Sequence, residues 1–106
     1  MKRRVVYSPE AREDLNNLFD YIAERTSADA ALAYTLRIKS WCDSLADFAE
    51  RGTQRDDLWP GLRIIGFEKR VAVAFHVTAD TVTIDRILYG GRDLSRAFSK
   101  ARVPGG

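Results

Sequence analysis

His76 is the only histidine in the chain. An imidazole, with an ordinary pKa near neutrality, is the side chain best suited to exchange protons at physiological pH. A plainer reading is a solvated strand residue with no chemistry, since the sequence shows no partner to orient the ring. Arg63, Arg70, Arg86 and Arg92 fall at or just beyond the ends of strand-like runs, and Tyr89 closes the last run. Arginines brought together with a tyrosine and a histidine could stabilise the phosphorane-like state of metal-free RNA cleavage. Equally, they could be edge charges paired with Asp85, Glu68 or Asp93. Strand alternation sets Arg86 on the face of Val82, Ile84 and Leu88, which opposes one cluster with Tyr89.

Other chemistries lack their residues. Cys42 is the single cysteine, so no internal disulfide and no cysteine-based metal cluster can form. One histidine leaves a zinc site dependent on carboxylates alone, and no metal or cofactor is expected. Gly90-Gly91 lacks the spacing of a phosphate loop, and no serine sits in a nucleophile elbow. Leu32 and Leu36 point away from the apolar stripe of their helix and share a face with Asp43 and Asp47, as a docking groove for a partner segment would. The alternative is that the N-terminal strand or the tail covers them, or that they are isolated surface apolars.

The elements that must position these groups follow from period and punctuation. Arg3 to Tyr7 is β-prone, and Ser8-Pro9 is an N-cap followed by a proline suited to the first helical position. Ala11, Leu15, Leu18 and Ile22 then predict a helix over 9–25. Ser27 or Asp29 opens a second helix whose stripe runs Ala31, Tyr34, Ile38, Trp41, Leu45, Phe48, with Gly52 expected as its C-terminal cap. The short gap between the patterns predicts an antiparallel helical hairpin. Residues 53–61 are polar and turn-rich. The period then changes to two, predicting strands over 62–67, 70–77 and 81–89, with Glu68-Lys69 as a tight turn. In the middle strand Val71, Val73, Phe75 and Val77 face one way, and Arg70, Ala72, Ala74 and His76 face the other, thinly covered side. The expected architecture is α+β in the order β-α-α-β-β-β: a helical hairpin packed on one face of a small, mostly antiparallel sheet.

With 106 residues, 45% of them hydrophobic and 30% charged, the chain fits one domain, with an ordered core over about 3–98 and a tail over 99–106. No apolar run is long enough for a membrane span, and a cytoplasmic protein is expected. The net charge of +2 is unevenly placed: residues 1–54 carry 8 basic and 9 acidic side chains, and residues 55–106 carry 9 and 6. That surplus is too small to predict direct nucleic-acid binding.

Four segments in order carry a resemblance: Val6-Tyr7-Ser8-Pro9-Glu10-Ala11-x-x-Asp14-Leu15, then Ser44-Leu45-Ala46-Asp47-Phe48-x-x-Arg51-Gly52, then Leu58-x-x-Gly61-Leu62-Arg63, and last Ile87-Leu88-Tyr89-Gly90-Gly91-Arg92-Asp93. Together they resemble the ParE branch of the RelE/ParE toxin superfamily over about residues 3–98. Many relatives read Phe-Tyr-Arg where this chain has Phe75-His76-Val77, and their late histidine is Tyr89 here. The resemblance implies the toxin of a bacterial type II toxin–antitoxin pair. It also implies a cognate ParD-like antitoxin with a ribbon-helix-helix DNA-binding domain, forming a hetero-oligomer with the toxin. ParE-type relatives imply inhibition of DNA gyrase without catalysis, with Arg63, Arg70, Tyr89, Arg92 and Phe98 as target-binding candidates. Leu32 and Leu36 are the antitoxin-binding candidates. RelE-type relatives imply instead a metal-independent, ribosome-dependent mRNA endoribonuclease using Arg63, His76, Arg86 and Tyr89. A third reading is a non-toxic antitoxin-binding module. The modest net charge favours the gyrase reading over one that must engage ribosomal phosphate.

Overall fold

A computed structural model of the chain describes residues 2–90; Arg92, Phe98 and the tail lie outside the described residues. The first strand, β1, spans Arg4–Tyr7, and helix α1 follows at Pro9–Arg25. Ser8 caps α1 by accepting a 3.0 Å hydrogen bond from the Ala11 amide, and Pro9 occupies the first turn. Only Thr26 and Ser27 separate α1 from α2 at Ala28–Asp43, and the Ser27 hydroxyl caps α2 by accepting from the Ala30 amide at 3.0 Å.

The second helix is shorter than its hydrophobic period predicts. It ends at Asp43 and tightens into a 3₁₀ turn at Ser44–Ala46, where the Ser44 hydroxyl donates back to the Trp41 carbonyl. Leu45 is fully buried by that turn, but Phe48 is 71% exposed and does not join the stripe. Gly52 is not a helix cap either. It lies at φ +79° just before a two-residue strand, β2 (Thr53–Gln54), and a Cβ there would sit 2.4 Å from the Ile64 carbonyl oxygen. The polar run after α2 thus contributes an edge strand that period-two patterning could not show.

Three longer strands complete the sheet: β3 (Arg63–Phe67), β4 (Val71–Val77) and β5 (Thr81–Tyr89). Their order is β1-β5-β4-β3-β2, with β1 parallel to β5 and the other pairs antiparallel. Glu68 and Lys69, both left-handed at φ 50° and 63°, are the central residues of the turn that the Arg70 amide closes on the Phe67 carbonyl at 3.2 Å. Arg70 completes the three-residue connection from Phe67 of β3 to Val71 of β4. Between β4 and β5 the register slips: Ala74 lies opposite Arg86 and Phe75 opposite Ile84, so Asp85 is an extra residue on β5. The bulge resets the alternation. Val82 and Ile84 enter the helical core before it, and Ile87 and Tyr89 take that side after it. Strict alternation had set Leu88 with Val82 and Ile84; the extra residue is why it does not stay there.

The main core joins Leu18, Ile38, Cys42 and Leu45 from the helical side to Val73, Phe75, Val82 and Ile84 from the sheet. Each fully buried side chain of this size contributes about 1.5–3 kcal/mol. The opposite face is better covered than expected. The loop before β3 folds over it, placing Leu62 and Trp59 with Leu58 and Ile64 against Ala74. A 2.8 Å bond from the Arg55 amide to the Leu62 carbonyl and one of 2.8 Å from the Gly61 amide to Asp56 Oδ1 shape that loop.

Candidate functional site

The four side chains expected to act together in RNA cleavage occupy separate places. Arg63 lies opposite Phe75 in the β3–β4 register, on the helical side, and its Nη1 donates to the Arg51 carbonyl at 3.3 Å. His76, the next residue along from Phe75, faces the other side. Tyr89 pairs with Val71, so about 17 Å of strand separates its row from that of His76. Its ring packs against Tyr21 and Tyr34 at centroid distances of 5.7 and 6.3 Å.

Arg86 is already engaged. Its Nε and Nη2 donate to the two carboxylate oxygens of Asp14 at 2.8 and 3.0 Å, and Asp14 Oδ2 also accepts from the Ile87 amide at 2.9 Å. The arrangement staples α1 to the bulge of β5. It raises the Arg86 pKa, chiefly through the Asp14 hydrogen bond. A guanidinium held this way, with a carboxylate only 9% exposed, is a structural clamp rather than a free electrophile.

The residue sequence reasoning missed is a partner for His76. Asp85 Oδ2 lies 2.7 Å from His76 Nδ1. The bulge carries Asp85, and Ser8 holds it from behind, its hydroxyl donating to the Asp85 carbonyl at 2.9 Å and its amide to the Ile84 carbonyl at 3.0 Å. Trp59 meets the imidazole edge-on at 5.2 Å. The Asp85 hydrogen bond raises the His76 pKa, outweighing the partial burial that lowers it. Burial raises the Asp85 pKa, and His76 offsets only part of that. Both shifts act in one sense: the pair keeps its shared proton. No sequence signal pointed to this, because the contact depends on an extra residue whose position only the paired strands define.

The remaining candidates are readily placed. Leu32 and Leu36 are 50% and 54% exposed on α2, so β1 does not cover them. Arg70 lines a groove of about 540 Å³ with Tyr21, Arg25, Tyr34 and Tyr89. Cys42 is buried, and burial pushes its thiol pKa up to about 12, which keeps it protonated and inert. Among the described residues no group of three or more His, Cys, Asp or Glu side chains could hold a metal ion, and no helix is long and apolar enough to cross a membrane.

The chain matches the family described as "ParE toxin of type II toxin-antitoxin system, parDE" over residues 5–94. It is 32% identical to Toxin ParE3 of Caulobacter vibrioides over 97 residues, which cover 92% of this chain and 96% of that protein. Among solved structures it superposes on a chain of the chromosomal ParDE TA system from P. aeruginosa with a TM-score of 0.73 at 22% identity, covering 84% of this chain and 97% of that one. The fold is thus shared with a ParDE structure, the α+β sheet and helical hairpin included. By the extent of the family match and the identity to a relative of nearly the same length, this chain belongs to the ParE toxin family of type II toxin–antitoxin systems.

Proposed function

We propose that the chain is a cytoplasmic toxin that inhibits DNA gyrase by binding it, without breaking a bond, and that a cognate ParD-like antitoxin neutralises it in a hetero-oligomer. The observation that carries the binding reading is the separation of Arg63, His76, Arg86 and Tyr89. A nuclease needs its base, acid and phosphate-stabilising cations around one reacting atom. Here Arg86 is held by Asp14, and Arg63 and His76 face opposite sides of the sheet. Purified chain added to gyrase is expected to block supercoiling or trap cleaved DNA, and full supercoiling at saturating chain would overturn the reading.

One observation favours the competing reading. His76, oriented by Asp85, is built like a general base, and a ribosome-dependent endoribonuclease would use it. In that case His76→Ala abolishes both transcript cleavage and growth arrest. Intact transcripts in arrested cells exclude it.

For the antitoxin, the support is the placement of Leu32 and Leu36, two half-exposed leucines one helical turn apart. Leu36→Glu is expected to weaken antitoxin binding about tenfold or more while the fold is unchanged; unaltered affinity in a calorimetric titration would remove this surface from the interface.

A further inference from the structure

At the end of the molecule where α1 turns into α2, the groove that holds Arg70 has a chemistry that neither the antitoxin surface nor gyrase inhibition specifies. Three tyrosines and three arginines line it, with Ile22 and Ala30 as its apolar floor. The tyrosine rings are already occupied: the Arg25 guanidinium lies 4.0 Å from the Tyr21 centroid, and that of Arg37 lies 4.9 Å from Tyr34. Tyr89 fills the space between, 5.7 Å from Tyr21 and 6.3 Å from Tyr34. Arg37 is committed twice over, since its Nε and Nη2 also bond both oxygens of Glu68 at 3.2 and 2.7 Å. Arg25 and Arg70 have no carboxylate within ion-pair distance among the described residues. The Tyr34 hydroxyl is buried and has no hydrogen-bond partner, and buried polar groups are nearly always paired.

What the groove leaves open is therefore two guanidinium forks beside an apolar floor. Guanidinium forks match carboxylates in two-point geometry. Two uncommitted cations are few for tracking a phosphate backbone, and guanidiniums already lie over the Tyr21 and Tyr34 rings on which a nucleobase would stack. The volume, about 540 Å³, lies within the range of about 300–1,000 Å³ usual for binding sites. We infer that this groove docks an extended acidic segment of a protein partner: carboxylates on Arg25 and Arg70, and an apolar side chain over Ile22 and Ala30. Tyr34 and Arg37 lie on a different flank of α2 from Leu32 and Leu36, so the groove is a second surface and stands without the antitoxin assignment.

The probe is the peptide acetyl-Glu-Leu-Glu-Asp-Leu-Glu-amide, titrated into the ¹⁵N-labelled full chain while the arginine Nε–H signals are followed. The Arg25 and Arg70 signals are expected to move together. Arg25→Gln and Arg70→Gln, both at exposed positions, are each expected to weaken binding about tenfold, with spectra otherwise native. Binding should fall as salt is raised, and the matching lysine peptide should not bind. Shifts confined to other residues, equal binding of the lysine peptide, or affinity unchanged in the two arginine variants would each overturn the assignment. Displacement of the peptide by a thymidine oligonucleotide at the same signals would replace it with a nucleic-acid site. Gyrase supercoiling is measured on the same preparations, so failure of the gyrase reading leaves the groove's test intact.

Discussion

The two faces of the sheet are closed by different physics. On the helical side, Phe75, Val73 and Ile84 meet Ile38 and Leu45 in a dry, fully buried layer. On the other side, a folded loop lays Trp59 and Leu58 over Ala74 and Leu62, and directly beside them sits the titratable pair His76–Asp85. The first face is held by apolar area, which carries no titrating group and so does not change with pH. The second combines a small apolar patch with a short charge-assisted hydrogen bond, so its strength depends on solution conditions. The face that stabilises the fold is thus separate from the face whose charge state can change.

Four substitutions test that contrast. Phe75→Ala should cost the most, about 4 kcal/mol in denaturant unfolding, because the ring is fully buried and its removal leaves a void in the core. Asp14→Ala should cost about 3 kcal/mol, since it strands the Arg86 guanidinium and the Ile87 amide together. Its loss is also expected to free β5 near the bulge, read as faster amide exchange at Ile87. Trp59→Ala, on the opposite face, should cost only about 2 kcal/mol, because the ring is half-buried. A cost equal to that of Phe75→Ala would mean that the two faces contribute alike, and the contrast would fail.

His76→Gln should have the smallest effect, about 1 kcal/mol, but a distinctive pH dependence. The folded His76 pKa is raised above its ordinary 6.5, so its contribution is complete below that value and is lost as pH rises through the raised one. The raised Asp85 pKa acts in the same direction. Thermal melts of the wild type and the variant should therefore differ most below pH 6.5 and converge as pH rises through the raised His76 value. A difference that grows with pH would reverse the assignment of the shared proton.

How much of this was legible in the sequence depended on whether the signal was local. Ser8-Pro9 announced the start of α1, Ser27 or Asp29 that of α2 (Ser27 is the cap), and a change of period from four-and-three to two announced the hairpin strands. Each rests on residues within one turn of one another. The end of α2 was misread because the spacing Trp41, Leu45, Phe48 continues the helical rhythm through a 3₁₀ turn, where Leu45 still reaches the core but Phe48 does not. The site was hidden for a different reason. Asp85 finds His76, and Arg86 finds Asp14, through a bulge that exists only once β5 has paired with β4. Thin cover was expected on the face of Ala74 and His76, yet Leu58 and Trp59, two apolar residues inside the polar run 53–61, pack there.

The parallel pairing of β1 with β5 has a consequence for how the molecule is made. Arg4 pairs with Thr81 and Tyr7 with Ile84, so the strand written first into the chain closes against one written near its end. A ribosome therefore delivers the helical hairpin well before the strands it packs on, and its apolar stripe stays bare while β3, β4 and β5 are synthesised. Local helix contacts form within microseconds, but contacts of such long sequence separation are slow and come last. Emergence of β5, rather than synthesis of any earlier element, is then the step at which the sheet can close on both edges of that strand and the helical hairpin can be covered.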